Sequence, residues 1–222
     1  MFRNVVSLGF FCSTALELKR LGLRTNSLPF DWTIALLPGV LESIRTNFTG
    51  FLDEAVLTRN PTYPYIIKND ALDISFYHDF DETQAIAASL PAVRAKYARR
   101  IDSFYKGIGT KTLFLRYILD ETERDYIVAN YDTILALIKS YHPENAIWFV
   151  ANTDIRPKAG MPTHITLFYV KKDQGETVAR NFTLKNPYLL ARLLLLDYPI
   201  KQRLQNLYWL ISKRFGGKSP IH

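Results

Sequence analysis

The chain of 222 residues contains a single cysteine, Cys12, and no long run of apolar residues. One cysteine excludes an intramolecular disulfide and suits a reducing compartment. The first four residues lead into a strand-like run at Val5, with no apolar region of the kind found in signal peptides. The leucine-rich stretch 188–196 is interrupted by Arg192 and is too short to cross a bilayer. We therefore expect a cytoplasmic protein.

Several other sequence features with known chemistry are missing. The four histidines, the cysteine and the acidic residues show no metal-ligand spacing, so we expect no metal and no cofactor. The sequence has no glycine-rich phosphate loop, no internal repeat and no low-complexity tract. A hydrophobic content of 48% with 22% charged residues is ordinary for a globular protein and excludes extensive disorder.

Acidic residues are fewer than basic ones, 21 against 28, and the net charge is +7. This excess favours anionic partners without selecting one. It fits an anionic small molecule, a glycan or an anionic lipid surface, and it equally fits an ordinary solvated surface. We do not expect nucleic acid to be the partner.

The N-terminal stretch has the features of a strand, a turn and a helix in succession. The apolar run Val5–Leu8 stops at Gly9, and Thr14 and Glu17 stand at capping-box spacing, which predicts a helix start. Cys12 lies between strand and helix. Unpaired backbone N–H groups in the first helical turn would lower the pKa of its thiol and could bind an oxyanion. Cys12 is therefore a candidate nucleophile; the alternative is that it fills a small buried gap.

Strand-like and helix-like segments alternate along the rest of the chain. Strands are predicted over 74–80, 112–117, 146–150 and 165–170, with helices over 90–105 and 126–141. The alternation predicts an α/β fold with a largely parallel central sheet and helices on both faces.

Polar side chains follow these predicted strands. Because ligands bind beyond the carboxyl ends of parallel strands, we expect these side chains to converge at one edge of the sheet. Asp31, between two aromatic residues, is either a turn residue or a group that orients a catalytic side chain. Arg100 lies on the exposed or cleft side of a predicted helix. The residues that follow a strand are Cys12, His78, Asp79, Arg116, Asn152 and Asp154.

The C-terminal region differs in character from the rest. Apolar residues at helical spacing between 200 and 215, flanked by lysines and arginines, predict a basic amphipathic helix. Such a helix packs on its own domain, on a partner or on an anionic membrane. We therefore predict an α/β catalytic-type domain over 1–175 and a helical basic extension over 176–222. The extension also leaves open a peripheral location at the inner face of the membrane.

Four motifs together resemble a bacterial domain family of papain-like cysteine peptidases. They are Ser7-Leu8-Gly9-x-x-Cys12, Pro29-Phe30-Asp31-Trp32, His78-Asp79-Phe80 and Leu113-Phe114-Leu115-Arg116. The resemblance covers the chain to about residue 154 and implies Cys12 as nucleophile and His78 as general base. It also implies that Asp79, Asp31 or Asn152 orients the imidazole, and it gives a papain-like α+β fold as the alternative architecture. Family members occur in bacterial surface-polysaccharide settings, which equally implies a glycan-related role.

Three functions stay open at this point. The first is a cysteine-dependent hydrolase or acyl transferase. The second is a glycan-modifying or sugar-transfer enzyme, in which Arg100 and Arg116 bind a phosphorylated ligand and the Gly9 turn approaches it closely. The third is a non-catalytic module that recruits polysaccharide machinery to the membrane through residues 200–215.

Overall fold

The computed structural model describes residues 2–155, 161 and 164–196. Strands and helices are numbered here in chain order. The first of two four-stranded sheets is formed by β1 (Asn4–Ser7), β6 (Thr112–Tyr117), β7 (Ala146–Asn152) and β8 (Thr166–Val170), side by side in that order. All three strand pairs are parallel.

The helices flank this parallel sheet on both faces, which confirms the α/β prediction. They are α1 (Cys12–Arg20), α2 (Leu37–Arg45), α3 (Ile86–Ile108), α4 (Glu121–Tyr141), α5 (Phe182–Lys185) and α6 (Pro187–Leu194). Successive side chains of β6 point to opposite faces of the sheet and therefore pack in two different hydrophobic cores. Phe114 packs in a core with α2, α3 and α4, whereas Leu115 packs in a core with α1, α5 and α6.

A second, antiparallel sheet lies beside the first core and was not predicted. Its strands are β2 (Thr33–Ala35), β3 (Leu57–Arg59), β4 (Ile67–Asn69) and β5 (Ile74–Phe76), in the order β2-β5-β4-β3. Each strand has only three residues, so no alternation of apolar and polar side chains can build up in the sequence.

This second sheet corrects one prediction about the site. The segment predicted to be a strand of the parallel sheet, 74–80, contributes β5, which pairs with β2 and β4. His78 and Asp79 therefore follow a strand of the antiparallel sheet. The argument from a shared edge of parallel strands does not apply to them.

Three helix starts also differ from the sequence prediction. Helix α3 begins at Ile86, four residues before its predicted start. Helix α1 begins at Cys12 with Phe11 as its N-cap and no side-chain cap, so the capping box predicted from Thr14 and Glu17 is wrong. Helix α4 begins at Glu121, five residues before the predicted start, because Asp120 accepts a hydrogen bond from the backbone N–H of Glu123.

The C-terminal part that the structure describes packs on the parallel sheet. Phe182 of α5 and Leu189 and Leu193 of α6 are fully buried in the second core. The basic helix predicted over 200–215 lies outside the described residues. None of the helices in the described part of the chain has the length and apolar content that a membrane crossing requires.

Candidate functional site

The turn between β1 and α1 is strained. Gly9 has φ +76°, and Phe10 follows with φ +77°, a conformation that bulky L-residues rarely adopt. Holding a non-glycine residue there costs on the order of 1–3 kcal/mol and persists only when the surroundings enforce it. Cys12 comes two residues later, at the first position of α1.

Arg116 of β6 enforces this turn. Its Nη1 donates to the carbonyl oxygen of Leu8 at 2.8 Å, and its guanidinium lies 5.9 Å from the centre of the Phe10 ring. Its Nη2 donates to the carbonyl oxygen of Ala35 in β2 at 2.8 Å, and its Nε donates to Glu123 at 2.7 Å. The guanidinium thus fixes the turn to the antiparallel sheet.

The predicted ligand-binding role of Arg116 is corrected by these contacts. Its side chain is fully buried, and the carboxylate of Glu123 neutralises its charge. A phosphate could not reach the guanidinium without breaking this buried ion pair.

The Cys12 thiol is partly buried, and burial raises its pKa; a backbone N–H opposes this shift with a smaller effect. The structure thus corrects the expected lowering of the thiol pKa, because loss of solvent disfavours the thiolate more than the nearby N–H favours it. At neutral pH the resting side chain is a neutral thiol. The first-turn N–H groups of α1 have no side-chain cap and remain suited to bind an oxyanion.

A cleft of about 730 Å³ lies beside Cys12. The β1–α1 turn, Ile34 of β2 and the loop 175–181 form its walls. The charged side chains that the described residues contribute carry both signs, so this part of the lining has no excess of positive charge to select an anion. They are Glu17, Arg20, Glu176 and Arg180.

Asn152, at the end of β7, holds the loop wall of this cleft. Its amide nitrogen donates to the carbonyl oxygen of Thr177 at 3.1 Å, and its amide oxygen accepts a hydrogen bond from the Tyr117 hydroxyl. The same hydroxyl accepts a hydrogen bond from the backbone N–H of Ala179 at 3.1 Å. Asn152 therefore acts on the cleft wall, and its contacts with the described residues include none that would orient His78.

The His78 and Cys12 turns are neighbours, although their side chains are not bonded to each other. The ring of Phe11 lies 6.3 Å from that of Tyr77, and the imidazole of His78 lies 6.3 Å from the ring of Trp32. His78 is exposed. Within the part of the chain that the structure describes, no hydrogen bond links its imidazole to Cys12 or to a carboxylate.

The acids predicted to orient His78 have other partners. The Asp79 side chain is fully buried, accepts a hydrogen bond from Tyr97 at 2.8 Å and lies 2.5 Å from Lys96 and 3.5 Å from Arg100. Arg100 is thus part of an ion cluster behind His78, which corrects its predicted place at a ligand. Among the described residues, Cys12, His78 and Asp79 do not form the hydrogen-bonded chain of a catalytic triad.

Asp31 and Asp154 lie apart from the cleft lining. Asp31 accepts hydrogen bonds from Arg24 at 2.7 Å and from the backbone N–H of Leu28 at 2.8 Å. Burial raises the pKa of Asp31, and the charge of Arg24 opposes the shift. Asp154 pairs with Lys172 at 2.6 Å, and the hydrogen bond from Lys172 lowers the pKa of Asp154.

Sequence reasoning missed the loop 175–181 and Ile34. Gly175, with φ +80°, marks a turn in the sequence, but no pattern indicates that this turn faces Cys12. Ile34 belongs to a strand too short to predict. Among the described residues, no group of three or more His, Cys, Asp or Glu side chains is placed to hold a metal ion.

Comparison with known proteins adds a family and one distant relative. A family model described as "putative papain-like cysteine peptidase" matches residues 3–146, well over half of the chain and including Cys12 and His78. An uncharacterized protein of Acanthamoeba polyphaga mimivirus is 27% identical over 176 residues, which cover 66% of this chain and 77% of the viral protein. No solved structure matches. The bacterial and polysaccharide settings stay predictions.

Proposed function

The chain belongs to the family whose model is described as "putative papain-like cysteine peptidase", and on this premise we propose that it is a cysteine hydrolase or acyl transferase. Cys12 is the nucleophile and His78 the general base. One observation carries the proposal: the cysteine stands at the uncapped start of α1, directly after a strained turn, and borders a cleft that can hold a substrate. Strain of this kind is concentrated at functional sites.

The raised pKa of Cys12 determines how the nucleophile must be activated. Because the resting group is a neutral thiol, the proton has to leave as the sulfur attacks, and a base is needed at that moment. The exposed His78 imidazole stands on the turn whose Tyr77 contacts Phe11, the residue before Cys12, and we assign it as this base. Imidazole is the side chain that most often acts as the general base in such a transfer.

The reaction follows from these placements. His78 takes the thiol proton while the Cys12 sulfur bonds to an acyl carbon, and the carbonyl oxygen becomes an oxyanion held by first-turn N–H groups of α1. The tetrahedral adduct collapses, the bond to the leaving group breaks, and His78 returns the proton to that group. Water, or another acceptor, then releases the acyl group from the sulfur with His78 again as base.

The alternative function, a sugar-transfer enzyme that binds a phosphorylated ligand, depended on Arg100 and Arg116, and both arginines have other partners. Arg116 is fully buried against Glu123, and Arg100 lies in the cluster around Asp79. The cleft itself carries charges of both signs. Acyl chemistry at Cys12 is therefore the function that the geometry supports best.

The test is formation of an acyl-enzyme. With p-nitrophenyl acetate we expect nitrophenolate release and an acetyl group on Cys12, detected by mass spectrometry of the peptide that contains it. Cys12→Ala abolishes both. His78→Ala slows acetylation about a hundredfold or more, the usual contribution of a positioned base.

His164→Ala is the matched control, since His164 is also exposed but contacts Tyr131 on α4, away from the cleft. It should acetylate at the wild-type rate. An unmodified Cys12 in the wild type, or equal loss in the two histidine variants, contradicts the proposal.

A further inference from the structure

A continuous series of aromatic rings leads across the surface to the Cys12 turn. Ring centres of Tyr63 and Tyr65 lie 6.0 Å apart, those of Tyr65 and Tyr77 lie 6.2 Å apart, and those of Tyr77 and Phe11 lie 6.3 Å apart. His78 adjoins Tyr77 at 6.4 Å. We call the four rings of Tyr63, Tyr65, Tyr77 and Phe11 the aromatic strip.

The aromatic strip is not part of either core. Tyr63 is 52% exposed, Tyr65 is 40% exposed and Phe11 is 39% exposed. Large apolar side chains that lie contiguously on a surface mark sites of interaction, because leaving them in water is unfavourable. Phe11 belongs both to the strip and to the cleft lining, so the two surfaces are continuous.

Hydrogen bonds from Arg59 and Asn60 hold the loop that carries Tyr63 and Tyr65. The Arg59 guanidinium donates to the backbone carbonyl oxygens of Pro64, Asp81 and Gln84, which joins the strip's loop to the segment after His78. The side chain of Asn60 accepts hydrogen bonds from two backbone N–H groups of the same loop, each at 2.9 Å. A surface fixed in advance binds with a smaller loss of conformational entropy.

The orientation of the rings determines the shape of the strip. Neighbouring rings are tilted by 55°, 64° and 83°, so notches lie between them and no flat platform is wider than one ring. The notches between tilted rings suit branched or aromatic side chains. The guanidinium of Arg59, which supports the strip's loop, is hydrogen-bonded to three backbone carbonyls, so fewer of its N–H groups are free for the phosphates of a nucleic acid.

We propose that the aromatic strip binds the apolar side chains of an extended peptide and places its backbone at Cys12. Alternate side chains of an extended chain lie about 6.7 Å apart on one face, close to the spacing between the rings. The inference rests on the proposed function, since that function makes a peptide carbonyl the reacting group. It names the substrate class: peptide segments with bulky apolar residues at alternate positions beside the bond attacked.

Peptide binding to the Cys12→Ala protein tests the inference without any need for catalysis. Two fluorescein-labelled peptides of equal length and charge are compared by fluorescence anisotropy, one with Leu and Phe at alternate positions and one with Ser there. We expect the apolar peptide to bind at least about tenfold more tightly, a difference of about 1.4 kcal/mol. The double variant Tyr63→Ser, Tyr65→Ser should remove that difference.

The matched control is Tyr188→Ser on α6, because Tyr188 is 64% exposed and lies outside the strip. It should bind like the parent protein. Equal affinity for the two peptides, or a preference that survives loss of both tyrosines, overturns the inference. So does binding of chitotetraose that depends on the same tyrosines, which would assign the strip to a sugar.

The two proposals fail separately. A wild-type protein that forms no acyl-enzyme, together with a tyrosine-dependent peptide preference, refutes the catalysis and supports the strip as a peptide surface. Acetylation of Cys12 without any peptide preference supports the catalysis and overturns the strip's role.

Discussion

Two effects act in opposite directions on the Cys12 thiol. The start of α1 supplies a backbone N–H that favours the thiolate, and burial disfavours it more strongly, so the pKa of the thiol is raised. Sequence alone shows the first effect, because a helix start can be predicted from neighbouring residues. The second depends on how the turn packs in the fold.

The pH dependence of Cys12 alkylation tests this balance. We expect the iodoacetamide rate of the folded protein to rise with pH and to reach half its maximum above about pH 8.5, the ordinary value for a free cysteine. In urea the midpoint should return to that value. A midpoint well below it would indicate a preformed thiolate–imidazolium pair and contradict the general-base scheme.

The same shift has a consequence for stability, with a definite sign. The thiol contributes its full stabilisation below the unfolded-state pKa of about 8.5, because both states are then protonated. As pH rises, the unfolded chain loses its proton first, and the stabilisation is lost as the pH passes through the raised folded-state pKa.

At the scale of elements, the turn between β1 and α1 connects the fold to the candidate site. A Cβ added at Gly9 would lie 3.0 Å from the carbonyl oxygen of Phe30, tighter than ordinary contact. The sequence predicted this turn correctly, since an apolar run ending in glycine is a recognisable pattern. It gave no indication of Phe10 in the left-handed region, because Arg116, a residue 106 positions further along, enforces it.

Comparing Gly9→Ala with Gly50→Ala separates the cost of a left-handed backbone from the cost of a close contact between the new Cβ and its neighbours. Both glycines have φ +76°, but nothing lies within 4 Å of a Cβ built at Gly50. We expect Gly50→Ala to lower the free energy of unfolding by about 1 kcal/mol, the penalty of the left-handed conformation, and Gly9→Ala to cost more. Urea unfolding measures both. Equal losses would show that the approach of Phe30 to this turn has no energetic effect.

Helix boundaries illustrate which sequence patterns are decisive. The capping box at Thr14 and Glu17 failed because Glu17 is engaged elsewhere: its carboxylate binds Arg20 at 2.7 Å and the Thr183 hydroxyl at 2.6 Å. Thr183 belongs to α5, far along the chain. A local pattern was therefore overridden by a contact that only the tertiary structure creates.

At the scale of the molecule, the parallel sheet could be predicted and the assembly of the site could not. The buried strands β6 and β7 are long enough for their apolar runs to be recognised. His78 and Ile34 reach the Cys12 turn through the antiparallel sheet, whose strands carry too few residues to show a period. The predicted convergence of six polar residues on one edge assumed a single sheet.

The two sheets share one core, which predicts a single unfolding transition. Phe30 is fully buried and lies 5.4 Å from Phe48, 6.1 Å from Phe51 and 5.9 Å from Phe104, within a cluster that includes side chains of both sheets. Since neither sheet can lose this cluster without exposing the other, we expect both to unfold together.

Single-tryptophan proteins measure this coupling. Trp32 reports on the antiparallel sheet and Trp148 on the parallel one, each in a protein whose other tryptophans, including Trp209 outside the described residues, are replaced by Phe. In each protein, urea unfolding is followed by both fluorescence and circular dichroism, which corrects for any stability change caused by the replacements. We expect the two signals to coincide in both proteins.

Phe30→Ala should lower the free energy of unfolding by the same amount in each single-tryptophan protein, about 3–5 kcal/mol. Fluorescence and circular dichroism midpoints that separate, or a Phe30→Ala effect confined to the Trp32 protein, would contradict this. They would show that the antiparallel sheet folds as an independent unit and that the shared core does not fix the His78 turn beside the Cys12 turn.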